Sequence, residues 1–154
     1  MQKIVFLSPG RVKTSWIQEG CDLYIKRLKH DIQLEVVEIP PSKQIDPVKH
    51  ADDESERLLE KARKFEGDIW LLDERGQGFT SLEFSQKLTN AKDIGRTIVF
   101  LLGGAYGVND TLKKEVNSII RLSDMTFPHE LCQLIFFEQL YRAIEIQKGS
   151  GYHH

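Results

Sequence analysis

The chain has 154 residues, of which 40% are hydrophobic and 29% charged. This length is close to that of one domain, and the composition excludes a disordered or fibrous protein. The formal net charge of −2 excludes a general nucleic-acid binder, because binding phosphates regardless of sequence requires a basic surface.

The first part of the chain alternates strand-like and helical patterns. Lys3–Leu7 predicts a first strand, and residues 15–29 repeat apolar side chains at helical spacing. Ile32–Ile39 predicts a second strand, which two prolines end. The polar stretch that follows, to about His50, predicts a mobile loop, and residues 52–65 predict a charged helix.

The middle of the chain carries stronger signals. Asp68–Asp73 predicts a short buried strand that leads into the segment Glu74–Gly78. Thr80 and Glu83 then form the pattern of a capping box, in which each side chain satisfies a free backbone N–H at the start of a helix. Thr97–Leu102 is the most strand-like segment of the chain.

The last part predicts a polar helix over about 109–117, a strand over 118–123, a loop at 124–128 and a helix from His129 to about Gln147. The proline before that helix fits a first helical position. Alternating strands and helices predict a single α/β domain over 1–154, with a mainly parallel sheet and helices on both faces.

Nothing in the chain predicts a membrane segment or a metal site. No apolar run approaches the roughly 20 residues that span a bilayer, and the N-terminus lacks the features of a signal peptide. Cys21 and Cys132 lie far apart without metal-ligand spacing and are interpreted as buried free thiols. We therefore expect a cytoplasmic protein without a metal.

Gly103, Gly104 and Gly107 directly follow the strongest strand pattern. Glycine permits positive φ and lets a ligand approach the backbone, and the next helix offers free N–H groups at its start. The spacing is not the G-x-G-x-x-G dinucleotide fingerprint. A tight turn without a ligand is the alternative interpretation.

The segment Leu122–His129 places apolar and small polar residues between a strand and a long helix. With Met125 and Phe127 inward and Ser123 and Thr126 available, it suits an adenine-like ring, which needs apolar contacts for its faces and backbone groups for its edge. A hydrophobic staple that only seals the helix is the alternative.

Five motifs, in this order, resemble one known family, and the resemblance runs nearly end to end. They are LLDERGQGFTSLEF (71–84), FLLGGAYGV (100–108), LSDMTFPHEL (122–131), EQLYRAIEI (138–146) and GYHH (151–154). The chain resembles the YbeA-type SPOUT methyltransferases, the RlmH family, which methylate N3 of a pseudouridine in 23S rRNA. The resemblance implies S-adenosylmethionine (SAM) as methyl donor, and an α/β fold whose C-terminal segment forms a trefoil knot.

The resemblance also implies where the cofactor binds. The family's positions fall on Leu72, on Gly103 and on the run Leu122, Ser123, Asp124, Met125, Thr126 and Phe127. Gly104 and Gly107 of the same turn are further candidates. Asp124 stands at a variable place in the family's loop, and the chain ends in His154 where many relatives have Lys or Arg.

Methylation of an imide nitrogen requires a group that removes its proton, typically a general base. His153 and His129 are the candidates for this role, and Arg142 and Tyr152 are candidates for contact with RNA. His129 could instead only cap the last helix, and His153 could belong to a disordered tail.

Contact with 23S rRNA is expected from a local basic patch, because the whole chain is acidic. The candidates are Arg11, Lys13, Lys26, Arg27 and Lys29, with a solvated helix face as the alternative. The net charge also predicts that an assembled ribosomal particle, the large subunit or the whole ribosome, is the substrate.

The final helix has more apolar circumference than one sheet should cover, which predicts a homodimer whose sites are completed across the interface. Its apolar residues are Leu131, Cys132, Leu134, Ile135, Phe136, Phe137, Leu140, Tyr141, Ala143 and Ile144. Phe136 and Phe137 are predicted at the interface. Burial within one subunit is the alternative.

Two other functions fit the patterns. A non-catalytic protein that binds SAM or a nucleotide would keep the glycine turn and the 122–127 loop but would not need Tyr152 and His153. A SPOUT methyltransferase that acts on tRNA would be expected to carry an added RNA-binding domain, for which this chain is short.

Overall fold

The computed structural model describes residues 1–154 and contains five strands and five helices that alternate along the chain. The strands are β1 (Lys3–Pro9), β2 (Gln33–Ile39), β3 (Asp68–Gly78), β4 (Ile98–Leu102) and β5 (Ser118–Arg121). The helices are α1 (Ser15–Leu28), α2 (Pro47–Arg63), α3 (Ser81–Asp93), α4 (Asp110–Glu115) and α5 (His129–Lys148). The predicted α/β class is confirmed.

All five strands form one parallel sheet in the order β2-β1-β4-β3-β5. Successive residues of a strand face opposite sides of the sheet, and in parallel sheets both sides are covered. Phe6 and Phe100 face a core shared with α1, α3 and α5. Leu7 and Leu101 face a second core shared with α2 and α4.

Helix α2 begins at Pro47, earlier than the sequence predicts, so the predicted loop up to about His50 already ends at Asp46. The Asp46 carboxylate accepts a hydrogen bond from the Lys49 N–H at 3.0 Å, and Pro47 follows as the first helical residue. An acidic N-cap followed by proline is a strong helix start. The helix therefore already includes His50, while Leu58 is buried as expected.

Helix α3 begins with the predicted capping box. The Glu83 N–H donates to Thr80 Oγ1 at 3.1 Å, and the Thr80 N–H donates to the Glu83 carboxylate at 2.8 Å. At α5, by contrast, Pro128 is the N-cap and His129 is the first helical residue, so the proline lies one position earlier than predicted.

Helix α5 buries its central phenylalanines within its own subunit. Phe136 and Phe137 are fully buried, and both rings pack against Phe6, at centroid distances of 5.3 and 5.0 Å. Their predicted place at a dimer interface is wrong, because the sheet, α1 and α3 together enclose them in the core. Leu131 and Ile135 remain half-exposed on another face of the helix.

None of the helices is both long enough and apolar enough to cross a membrane.

Candidate functional site

Three loops meet on one side of the sheet: an excursion within β3 and the loops that follow β4 and β5, the two strands next to β3. In open parallel sheets ligands bind outside the carboxyl ends of the strands. Here the loops enclose a cavity of about 560 Å³. Its lining includes nine of the ten candidate cofactor residues, namely Leu72, Gly103, Gly104, Gly107, Leu122, Ser123, Met125, Thr126 and Phe127.

The first loop is an excursion inside β3. The predicted end of the strand at Asp73 is wrong, because β3 resumes its pairing with β5 at Gln77, which lies opposite Ile120, as Leu72 does. Residues 73–76 therefore leave the ladder, and Asp73, Glu74 and Arg75 line the cavity. The Arg121 guanidinium holds the excursion by donating to the Gly76 carbonyl at 3.1 Å.

The second loop is the glycine turn that follows β4. The Gly107 N–H donates to the Gly104 carbonyl at 3.0 Å, which closes a tight turn over Gly104–Gly107. Gly107 has φ +72°, a conformation that side chains disfavour. Asn109 then caps α4 by accepting from the Leu112 N–H at 2.9 Å. The turn thus presents backbone to the cavity.

The third loop follows β5 and is held by its own polar side chains. The Ser123 hydroxyl accepts from the Met125 N–H at 2.9 Å, and the Thr126 hydroxyl donates to the Glu74 carboxylate at 2.7 Å, which joins the third loop to the first. Met125 borders the cavity but is 76% exposed, so its predicted inward position is wrong. Phe127 is half-buried.

Asp124 is the one candidate cofactor residue outside the cavity lining. Its carboxylate forms an ion pair of 2.8 Å with Arg121, and the side chain is 87% exposed. The turn that Ser123 closes directs Asp124 away from the cavity.

His129 lies at the cavity, at the start of α5, and makes no side-chain cap of that helix. Burial is the largest effect on the imidazole and lowers its pKa from the ordinary value. The nearby carboxylates of Glu130 and Glu54 and a backbone hydrogen bond to Gly103 oppose this shift. A neutral imidazole at neutral pH can accept a proton.

The other three candidate catalytic residues form a cluster at the far end of α5, which we call the C-terminal cluster: Arg142, Tyr152 and His153. Arg142 forms a 2.7 Å ion pair with Glu138, and the hydrogen bond to Glu138 raises the pKa of its guanidinium. Its Nη1 lies 3.1 Å from His153 Nδ1. Because a guanidinium only donates, Nδ1 accepts, and the ring proton of neutral His153 is on Nε2.

Tyr152 packs within the same cluster. Its ring lies edge-on to Tyr141 with centroids 4.9 Å apart and beneath the Arg142 guanidinium at 4.9 Å. Burial is the first cause that raises the pKa of its phenol, which is therefore neutral at pH 7. The last residues of the chain are thus packed in this structure and do not form a free tail.

His129 and the C-terminal cluster cannot reach the same cavity within one subunit. Arg142 comes thirteen residues after His129 in α5, so the two residues lie about 20 Å apart along the helix axis. The structure therefore places His129 with the three loops, and Arg142, Tyr152 and His153 apart from them.

Several cavity residues are absent from the sequence-based predictions. They are Asp73, Glu74, Arg75, Leu102, Ala105, Tyr106, Val108, Asp110, Lys113 and Cys132. Seven of the ten lie within the motifs 71–84 and 100–108, so the whole motifs indicate the lining better than the single candidate positions do. Cys132 is a free thiol as predicted, but it is only half-buried and lines the cavity, and burial raises the pKa of its thiol to about 11.

The candidate RNA-binding residues lie on or next to α1. Arg11, Lys13, Lys26 and Lys29 are exposed, and their charged side-chain groups form no ion pair within 4.0 Å. Arg27 differs, because its guanidinium covers the rings of Tyr24 and Tyr141 at 5.7 and 5.5 Å.

Comparison with known proteins shows similarity to methyltransferases over nearly the whole chain. The family described as "Predicted SPOUT methyltransferase" matches residues 2–153. A protein from Cytophaga hutchinsonii named ribosomal RNA large subunit methyltransferase H is 38% identical, with 99% of each chain covered. One of the same name from Prochlorococcus marinus strain SARG is 41% identical, covering 96% of this chain and 92% of the relative.

Among solved structures, a probable methylase family protein from Haemophilus influenzae Rd KW20 has the same fold, with a TM-score of 0.58 at 12% identity. The match covers 99% of this chain and 71% of that one.

Proposed function

The chain belongs to the SPOUT methyltransferase family, together with the proteins named ribosomal RNA large subunit methyltransferase H, and we propose that it transfers a methyl group from SAM to N3 of a pseudouridine in 23S rRNA. The observation that carries this proposal is the single cavity formed by the three loops, with His129 at its edge. We place the reaction in the cytoplasm.

The cavity suits SAM in size and in chemistry. Its volume lies within the range of about 300–1,000 Å³ that is usual for small-molecule sites. Leu72, Leu102 and Leu122 offer apolar surface for an adenine ring, and the glycine turn offers backbone groups. The acidic Asp73, Glu74 and Asp110 and the basic Arg75 and Lys113 provide charges opposite to those of an amino-acid moiety.

The protein has two tasks in the reaction. SAM, when bound, supplies the electrophilic methyl group. The chain must hold the target base in line with that group and accept the imide proton. We assign the proton acceptor to His129, because burial keeps its imidazole neutral beside the cavity.

We further propose that the working unit is a homodimer and that the C-terminal cluster acts on the partner's cavity. Leu131, Ile135, Glu138 and Arg142 are spaced by four, three and four residues and therefore share one face of α5. A twofold axis through the middle of this face would bring the Arg142 end of one helix to the His129 end of the other. Each substrate would then contact both chains.

Mixed dimers test this arrangement. Thr126→Trp fills the exposed rim of the cavity, and Arg142→Ala disrupts the C-terminal cluster, so each variant alone should be inactive. In an equal mixture, half of the dimers are mixed and each has one intact site, so about a quarter of the activity should return. A mixture that stays inactive would contradict a site shared between chains.

The substrate is tested by mass spectrometry of rRNA from cells that lack the protein. We expect one pseudouridine of 23S rRNA to lose a single methyl group, and purified protein with SAM to restore it on large subunits or whole ribosomes. An unchanged rRNA with a methyl group missing from tRNA would favour the tRNA enzyme. SAM binding with no missing methyl group in either RNA would favour a non-catalytic binding protein.

A further inference from the structure

A buried carboxylate lies beneath the glycine turn, outside the cavity lining. Glu54 of α2 is 2% exposed. Its Oε2 accepts from the Ser42 N–H at 3.1 Å and pairs with His50 Nε2 at 3.0 Å. Its Oε1 has no hydrogen-bond partner. A buried carboxylate oxygen without a partner is costly, so its position requires an explanation.

The free oxygen lies against Gly104. A Cβ built on Gly104 would overlap Glu54 Oε1 more closely than any real contact allows. The φ angle of Gly104 lies outside the range that favours glycine, so the close approach of Glu54, and not backbone conformation, requires a glycine here. Glu54 and Gly104 therefore fit together as a pair.

His50 contacts the other oxygen of the Glu54 carboxylate. The Nδ1 of His50 lies 3.0 Å from the Gln44 carbonyl, while Nε2 faces the Glu54 carboxylate. The His50 ring is thus held between two oxygen atoms, one of the Gln44 carbonyl and one of the Glu54 carboxylate. The same ring lies edge-on to Tyr106, with centroids 5.0 Å apart, and Tyr106 is in the glycine turn.

Two further contacts join α2 to the end of the turn. The Asn109 N–H donates to Ser55 Oγ at 2.9 Å, and the Asn109 amide donates to Asp52 at 3.0 Å. The helix therefore supports the turn segment at Gly104, at Tyr106 and at Asn109. A ligand that enters the cavity meets a backbone that is already held in place, which lowers the ordering cost of binding.

From this packing we infer that Glu54 is a positioning residue for the cofactor site: it holds the glycine turn in its binding conformation through Gly104, without touching the ligand. This inference rests on the proposed function. It also predicts an electrostatic role, because the Glu54 carboxylate is among the groups that favour the protonated form of His129, together with Glu130 and the Gly103 backbone.

A double-mutant cycle measured by calorimetry with SAM tests the pairing. Gly104→Ala alone should weaken SAM binding about tenfold, because the methyl group and Glu54 compete for one space. In a Glu54→Ala background, the same Gly104→Ala change should weaken binding less than about twofold. Glu56→Ala, an exposed glutamate on the same helix, is the matched control and should bind SAM normally.

Equal losses in both backgrounds would overturn the inference, since the glycine would then be required by the ligand itself. Wild-type protein that binds no SAM would instead contradict the proposed function. If Glu54→Ala fails to fold, Glu54→Asp replaces it, because it keeps the charge beside His50 and withdraws the carboxylate from Gly104.

The second readout needs no ligand. In Glu54→Gln the side chain keeps its size and loses its charge, so the pKa of His129, followed by NMR, should fall further below its wild-type value. An unchanged His129 pKa would contradict an ionised Glu54 at this position. This readout reports the charge of Glu54, whereas the double-mutant cycle reports its contact with Gly104.

Discussion

Burial sets the protonation states of single side chains around the cavity. His129 is held neutral, and the Cys132 thiol, whose pKa burial raises to about 11, is protonated at neutral pH and is a poor nucleophile. Thr126 and Glu74 join two loops by one hydrogen bond. These residues give the cavity a proton acceptor without a reactive thiolate.

The lowered pKa of His129 predicts how stability depends on pH. Below its ordinary pKa of 6.5 the imidazole gains a proton in the unfolded chain, but in the folded chain it does so only at lower pH. The free energy of unfolding should therefore fall as the pH drops below about 6.5, and His129 should add no pH dependence above it.

Urea unfolding of wild type and His129→Gln between pH 8 and pH 5 measures this effect. The difference between the two proteins should be constant at the alkaline end, and the wild type should lose relative stability at the acidic end. A parallel course across the whole range would show that His129 titrates normally in the fold.

Helix α5 performs different tasks on its different faces. One face carries Phe136, Phe137 and Leu140 into the core, and another carries the half-exposed Leu131 and Ile135. The first turn of α5 binds the loop before α1, because the Glu130 carboxylate accepts from the Lys13 N–H at 2.7 Å. The last turns of α5 hold the C-terminal cluster.

Substitutions on the two faces should differ in their effect: a charge on the buried face should unfold the chain, and a charge on the partly buried face should separate the dimer. Phe136→Asp should unfold the chain, because loss of a buried phenylalanine alone costs about 3–5 kcal/mol and the buried charge adds to it. Ile135→Glu should cost the subunit less than that, since Ile135 is only partly buried. It should nevertheless convert the proposed dimer to a monomer and abolish methyl transfer.

Light scattering and circular dichroism distinguish these outcomes. Glu60→Gln, at an exposed position of α2, serves as the control and should remain dimeric. A folded, active and monomeric Ile135→Glu variant would contradict the dimer as the working unit.

The whole molecule combines an acidic net charge with exposed lysines on and near α1. Weak binding to free RNA and productive binding to a ribosomal particle are the expected consequence. Of the candidate residues, Lys26 and Lys29 are free to contact phosphates, whereas Arg27 is engaged with Tyr24 and Tyr141.

Lys26→Glu combined with Lys29→Glu should raise KM for the ribosomal substrate and leave SAM affinity unchanged. If both lysines contact phosphates, the slope of log KM against log salt should fall by about 2. Methyl transfer is measured at several salt concentrations. Lys92→Glu, on the exposed end of α3, is the control, and an equal effect of this variant would indicate a nonspecific loss of charge.

Local patterns in the amino-acid sequence determined much of this protein by themselves. Periodicity and the capping box predicted all ten elements, and the predicted bounds lie within a few residues of the structure except for the early start of α2 and the continuation of β3. The capping box of Thr80 and Glu83 and the glycine turn depend on neighbours in the chain, so both could be read directly. Family motifs added the three cofactor loops, whose binding role, like the knot and the dimer, stays a prediction.

Tertiary structure alone decided which of these parts meet. The three loops form one cavity because β4, β3 and β5 are neighbours, and strand order depends on contacts between distant segments. The same long-range packing buried Phe136 and placed Glu54 beneath Gly104, fifty residues away. A periodic pattern shows that a side chain is apolar or charged, but the partner that covers it is set by the sheet and helices folded against it.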